Sequence, residues 1–197
     1  MIAALLAVHA LAQDCNRPPA ETSKVSSQLF AAYEADQKDR KDKNPDTAKN
    51  DSGRQAEVRK FMGKGWVCSG LDHYHSAVVL MHSSKADDVA AAYEHAKAAM
   101  AMHVPQGPWA VAATFDLWRV SRGMEQNYGT AVGQVKGRPC LYPVAADFSD
   151  ADRATYGIEP LATSIQRVLK MAGETSDETT MRDLEKRGLV CRLDAWK

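Results

Sequence analysis

The sequence lacks several features that would place it at once in a functional class. It has 25 Lys and Arg residues against 25 Asp and Glu residues, so it carries none of the basic surplus typical of nucleic-acid binders. No apolar run reaches the roughly 20 residues that a membrane-spanning helix needs. The nucleotide, serine-hydrolase and zinc signatures GxGxxG, GxxxxGK, GxSxG and HExxH are missing. We therefore expect no nucleic-acid partner, no membrane span, no metal site and no cofactor.

The cysteines also lack a CxxC pair, which argues against zinc ribbons and thioredoxin-like redox centres. The four residues, Cys15, Cys68, Cys140 and Cys191, are far apart in the chain. In an oxidising compartment they would form one or two disulfides, with three possible pairings, whereas in the cytosol they would be buried thiols. We favour disulfides, without a choice among the pairings.

The amino-terminal residues have the pattern of a secretory signal peptide. Residues 2–12 are apolar apart from His9, and Ala10 and Ala12 form an A-x-A site that predicts cleavage before Gln13. The alternative is a short buried helix at the amino terminus. The signal-peptide interpretation, for residues 1–12, predicts a periplasmic or secreted protein.

Helical periodicity dominates the rest of the chain and predicts a mainly α fold. We expect a single-domain helical bundle with a small β-hairpin after its central helix. The predicted parts are an N-terminal extension at 13–21, a helical domain at 22–172 and a C-terminal helix and tail at 173–197. The hairpin is expected near 128–144.

Within these parts the pattern sets approximate helix positions. The five helices before the hairpin are predicted at 22–41, 53–62, 71–82, 87–102 and 107–123. The mixed-charge segment 41–52 is predicted to be an exposed loop. After the hairpin we expect two short helices and a last helix that begins at a capping box formed by Thr175 and Glu178.

Four charged or titratable residues fall on helix faces where the core is expected. Asp36 and Arg40 lie on the first helix, His82 on the third and Asp116 on the fifth. Because buried charges are costly unless they are paired, we expect the four to meet. In such a cluster His82, Asp116 and Asp36 are the candidate catalytic groups, and Arg40 is suited to binding an anion. The alternative is a purely structural cluster of buried polar side chains that fixes the register of the helices.

The turn after the central helix supplies further candidates for substrate binding. Gln126, Tyr128 and Thr130 carry hydrogen-bonding side chains, and Gly129 allows a sharp turn between them. The alternative is a hairpin entry whose side chains bond to their own backbone. The remaining histidines lack the spacing of a metal site, and His95 is expected on the solvent side of its helix.

The order of these residues resembles a bacterial family catalogued as domain of unknown function 6624. The resemblance covers about residues 29–161 and rests on five motifs. They are Asp36-Gln37-Lys38-Asp39-Arg40, His82, Asp116 seven residues before Gly123, Gln126-x-Tyr128-Gly129-Thr130, and Asp150-Ala-Asp-Arg153 continuing to Gly157-Ile-Glu-Pro-Leu161. The resemblance implies no reaction, but it adds Gln37 to the candidate substrate-binding residues.

Two functional hypotheses follow from the sequence. The first is an exported hydrolase or lyase that acts on a small anionic substrate, with His82 as the acid or base. The second is a non-catalytic envelope module that binds a partner, in which the polar cluster is structural.

Overall fold

The computed structural model of the chain describes residues 15–177 and 179–195. The predicted signal peptide and Glu178 lie outside the described residues. Among the described residues the fold is mainly α, with eight α-helices and one two-stranded antiparallel sheet, which confirms the predicted fold class. The chain divides into two compact units, the first ending at Val111 and the second beginning at Ala112. The predicted domain 22–172 spans both units, and each unit is described by itself.

The first unit is built from helices around an aliphatic core. Its helices are α1 (Thr22–Lys41), α2 (Thr47–Gly63), α3 (Gly70–Leu80) and α4 (Ala86–Ala101), followed by the start of α5 (Gly107–Val120). A 3-10 turn, Pro19–Glu21, precedes α1. The core side chains come from α1 to α4 and include Val25, Leu29, Val58, Phe61, Val79, Leu80 and Ala92.

The predicted loop at 41–52 is shorter than expected, because α2 begins at Thr47 rather than near residue 53. The polar residues of this segment bond to side chains of α1. Asn50 donates to Asp39 at 2.9 Å, and Asp51 accepts from Arg40 at 2.9 Å. The mixed charges that suggested an exposed loop therefore hold the first turns of α2 against α1.

The second unit combines the rest of α5 with the hairpin and three short helices. The strands β1 (Val132–Val135) and β2 (Arg138–Leu141) pair antiparallel, as predicted, around a turn at Lys136 and Gly137. The helices are α6 (Asp150–Ala154), α7 (Leu161–Met171) and α8 (Met181–Lys186). The last helix starts later than predicted, at Met181, with the Thr180 side chain accepting from the backbone of Asp183 at 3.2 Å. An aliphatic core of Leu141, Ile165, Val168, Leu169, Leu184 and Leu189 holds these elements together.

Each unit contains one disulfide, so the expectation of disulfides is confirmed and the pairing is settled. Cys15 bonds to Cys68 in the first unit and Cys140 bonds to Cys191 in the second. No free cysteine remains in the described part of the chain. Disulfides of this kind are typical of proteins in oxidising compartments. No helix within 15–177 or 179–195 is long and apolar enough to cross a membrane.

Candidate functional site

Asp36 and His82 form the contact in the first unit that is best suited to acid–base chemistry. Asp36 on α1 is fully buried, whereas His82, two residues after α3, has 24% of its side chain exposed. The ring nitrogen Nδ1 of His82 lies 3.1 Å from Asp36 Oδ1. Because a carboxylate only accepts hydrogen bonds, this contact assigns the donated proton to Nδ1 and leaves Nε2 as the ring nitrogen that does not bond to Asp36. A buried carboxylate that orients a partly exposed imidazole is an arrangement used in general acid–base catalysis.

Arg40 contacts the same carboxylate from α1. Its Nη1 lies 3.3 Å from Asp36 Oδ1, and its two Nη atoms donate to Asp51 of α2 at 3.3 and 2.9 Å. Neither Nε–H nor the second N–H of Nη2 has a partner among the residues that the structure describes, and 28% of the side chain is exposed. The side edge of the guanidinium group is therefore open to an anion.

Gln37 completes the surroundings of Asp36. Its side-chain Nε2 donates to Asp36 Oδ2 at 2.8 Å, so both oxygens of the buried carboxylate accept hydrogen bonds. Gln37 itself is exposed. Of the candidate residues from the sequence, Asp36, Gln37, Arg40 and His82 thus come together in one network.

The network continues along α2 through Asp51, which was predicted to lie in a loop, and Arg54, which was predicted to lie in a helix. Arg54 donates to Asp51 at 2.6 Å and to Asp39 of α1 at 2.7 Å. Burial raises the pKa of Asp51, but hydrogen bonds from Arg40 and Arg54 outweigh it and hold the pKa below its ordinary value. A hydrogen bond from Arg54 is the largest cause of a lowered pKa at Asp39. The i,i+3 spacing of Asp51 and Arg54 was the one sequence signal for this part of the network.

Asp116 lies in the second unit and has a network of its own. Its carboxylate accepts from the backbone N–H groups of Asn127, Tyr128 and Thr130 at 2.8, 2.9 and 2.9 Å, and from the Thr130 hydroxyl at 2.7 Å. Burial raises the pKa of Asp116, and these four hydrogen bonds oppose that rise. The four residues that were expected to form one cluster therefore belong to two hydrogen-bond networks. Asp36, Arg40 and His82 share one, and Asp116 forms the other because the loop after α5 supplies its donors.

The predicted substrate-binding residues of this loop are occupied with internal bonds. Gln126 is fully buried, and its amide donates to the carbonyls of Ala131 and Tyr142 and accepts from the N–H of Ala131 at 2.7 Å. The Thr130 hydroxyl is committed to Asp116. Gly129 takes a φ of 75°, which lets the loop fold back over the carboxylate. These contacts favour a structural role for Gln126 and Thr130, and their role in substrate binding stays a prediction.

Aromatic packing holds the ring of Tyr128 in the same unit. The ring centroid lies 4.8 Å from that of Phe148 and 5.1 Å from that of Tyr156, both in edge-on arrangements. Only 6% of Tyr128 is exposed, so the ring has little surface to offer a ligand. Its predicted role at a substrate entrance is therefore not favoured by the geometry, and it also stays a prediction.

Arg153 is a buried residue of the second unit that the list of candidate site residues omitted. It donates to the carbonyls of Asn127 and Phe148 at 2.9 and 2.8 Å, and to Asp150 at 3.0 Å. These bonds hold the loop at 127–130, whose N–H groups donate to Asp116. The Asp150-Ala-Asp-Arg153 motif was the signal for this role.

His73 and His95 form a second titratable pair in the first unit. Their Nδ1 atoms lie 2.7 Å apart, so His95 is not on the solvent side of α4 as predicted. The alanine-rich face of α4 packs closely on α3 and brings the two rings together. Burial is the largest cause of a lowered pKa at both residues, and it brings the pKa of His95 to about 3. Within 15–177 and 179–195, no three His, Cys, Asp or Glu side chains are grouped closely enough to hold a metal ion.

Comparison with protein-family models, with curated proteins and with solved structures finds no match for this chain.

Proposed function

We propose that the protein is an exported enzyme, a hydrolase or lyase, that acts on a small anionic substrate in the periplasm or outside the cell. The observation that carries the proposal is the contact between Asp36, which is fully buried, and His82, which is partly exposed. Because part of the His82 side chain is exposed, a solute can reach the imidazole, whereas the carboxylate that orients it is shielded from water.

Each residue of the network has a role in this proposal. His82 takes or gives the proton through Nε2, and Asp36 positions the ring through Nδ1. Arg40 binds the anionic group of the substrate with the side edge of its guanidinium group, while Asp51 holds the end of the same group. Gln37 fixes the second oxygen of Asp36 and lies beside the substrate.

Two further observations support the location and the family assignment that we propose. The two disulfides favour an oxidising compartment, which agrees with the predicted signal peptide. We also propose kinship with the family catalogued as domain of unknown function 6624. Four of the five motifs that carry the resemblance supply residues to the Asp36 or Asp116 networks, and the fifth supplies Arg153.

The test is a substrate screen with the oxidised protein and the variant His82→Asn. The Asn amide can still donate to Asp36 from near the Nδ1 position, but it has no basic nitrogen in place of Nε2. We expect hydrolysis or elimination of phosphorylated or carboxylated compounds by the wild type, and a loss of about 10²–10⁴-fold in kcat in the variant.

The matched control is His103→Asn, which removes an exposed histidine from the same unit. It should leave the rate unchanged. Turnover that survives His82→Asn at the wild-type rate would refute the assignment, provided that thermal unfolding shows the variant to be folded.

A non-catalytic binding module is the second candidate function. The observation in its favour is the Asp116 network, in which loop and carboxylate satisfy one another. This candidate predicts no turnover in the screen and capture of a partner that persists in His82→Asn.

A further inference from the structure

One face of α1 carries an unusual line of partly exposed side chains beside the Asp36–His82 contact. Phe30, Tyr33, Gln37 and Arg40 fall within about 80° of one another at about 100° per residue. Phe30 is 44% exposed, which is high for a large apolar side chain on a helix of mostly polar surface. We call these four residues the α1 stripe.

The aromatic end of the α1 stripe packs against α3. The ring of His75 lies 5.3 Å from that of Phe30 and 4.8 Å from that of Tyr33, in the second case stacked at 29°. Tyr74 contacts Tyr33 from the same helix at 5.6 Å. His75 is buried, with an Nδ1 atom that has no hydrogen-bond partner, so packing rather than hydrogen bonding fixes its ring. These contacts restrict the rotation of the Phe30 and Tyr33 rings, which lowers the entropy cost of stacking a ligand on them.

The polar end of the α1 stripe offers different contacts. The side-chain carbonyl of Gln37 has no partner in the described part of the chain, and the side edge of Arg40 is open. Phe30 and Arg40 are ten residues apart, which is about 15 Å along a helix. A ligand that used the whole α1 stripe would need a ring at one end, hydroxyl groups in the middle and an anion near His82.

We propose that the α1 stripe is the binding track for a short sugar chain that carries carboxylate groups. A sugar ring presents its C–H face to Phe30, a hydroxyl group donates to the Gln37 carbonyl, and a carboxylate pairs with Arg40. This inference rests on the proposed function, because it names the substrate class that would lie beside His82. A ligand of this class is compatible with a protein in an oxidising compartment, and its binding requires no metal or cofactor.

The experiment measures binding by calorimetry and by backbone amide shifts in the oxidised protein. The probes are trigalacturonate and its carboxyl-reduced, neutral counterpart. We expect Phe30→Ala to weaken the binding of both by about two- to tenfold, since stacking does not depend on the carboxylate. We expect Arg40→Lys, which keeps the charge beside Asp36, to weaken only the acidic probe, by about tenfold. The control is Met171→Ala, which removes a 58% exposed apolar side chain from the second unit and should change neither affinity.

Three results would overturn the inference. They are no binding of trigalacturonate at millimolar concentration, equal affinity of the wild type for both probes, and unchanged binding in Phe30→Ala. Because Phe30 is exposed, its replacement should leave the thermal midpoint within a few degrees, and amide shifts of the wild type report the site without any variant.

The failure of this inference can be told apart from failure of the proposed function. Turnover of small anions that depends on His82, without sugar binding, would refute the sugar-binding inference and support the proposed enzymatic function. Sugar binding with no turnover in the screen would support the sugar-binding inference and refute the proposed enzymatic function.

Discussion

Replacement of Asp116 by Asn tests whether its network is structural. The amide has nearly the shape of the carboxylate, but only its oxygen accepts hydrogen bonds. Asn can keep the two bonds that Oδ1 accepts from Asn127 and Tyr128. Its NH₂ group then faces the two donors of Thr130 that now bond to Oδ2.

The expected cost follows from the fate of these two donors. The Thr130 hydroxyl can rotate and accept from the new NH₂ group, so its bond is exchanged rather than lost. The Thr130 N–H cannot rotate and is left opposite another donor. A lost bond to a charged acceptor costs about 1.5–3 kcal/mol, and a buried unpaired N–H costs about 1–3 kcal/mol. The neutral amide avoids burying a charge and recovers part of this, so we expect a net loss of about 2–4 kcal/mol.

Urea unfolding of the oxidised protein measures this loss. The control is Asp147→Asn, which removes an exposed carboxylate in the same unit and should change the free energy of unfolding by less than about 0.5 kcal/mol. A loss below about 1 kcal/mol at Asp116 would refute the reasoning. A gain in stability would show that the native carboxylate is strained, as at sites kept for function.

Two further predictions concern the first and second units in turn. Since burial lowers the pKa of His95 to about 3, the unfolded chain binds more protons between about pH 3 and 6.5, and stability is lost as the pH falls through that window. Between pH 7 and 5 His95 alone should account for a loss of about 2 kcal/mol of unfolding free energy. The variant His95→Asn, unlike His103→Asn, should remove this part of the dependence, while a part due to His73 and His75, whose pKa values burial also lowers, remains. Removal of the second disulfide by Cys140→Ser with Cys191→Ser should cost about 4 kcal/mol on a chain-entropy estimate, and hydrogen exchange should show the loss in residues 112–195. Uniform exchange throughout the chain would contradict the disulfide prediction, and a stability independent of pH from 7 to 5 would contradict the histidine prediction.

The fold could be predicted well wherever one helix face was clearly apolar. The position of α1 followed from apolar periodicity, and the hairpin followed from alternation around a Lys-Gly turn. The start of α2 could not be predicted in this way. Its first turns are stabilised by bonds from Asn50, Asp51 and Arg54 to α1, and a charged helix face has no apolar stripe to reveal it.

The candidate site was predictable only in part, because apolar periodicity does not identify the partners of a charged side chain. A charged residue on an apolar stripe, such as Asp36, signals that a partner must exist, but the stripe does not say which one. His82, Arg40 and Gln37 are the partners of Asp36 in the structure. Asp116 looked equivalent from the sequence, yet three of its four hydrogen-bond donors are backbone N–H groups. Every residue except proline carries such a group, so no side-chain pattern can indicate these partners.

The two networks differ in the property that matters most for chemistry. In the second unit each bond to Asp116 comes from a loop donor, and the loop is held in turn by Arg153, so the arrangement fixes a backbone conformation. In the first unit the buried carboxylate of Asp36 contacts three side chains that are themselves partly or largely exposed, and two of them are titratable or charged. A backbone N–H that bonds to Asp116 is not available to a substrate. The exposed parts of an imidazole ring and of a guanidinium group are available to one. We therefore expect activity to depend on His82 more strongly than on Asp116, whose predicted catalytic role stays a prediction.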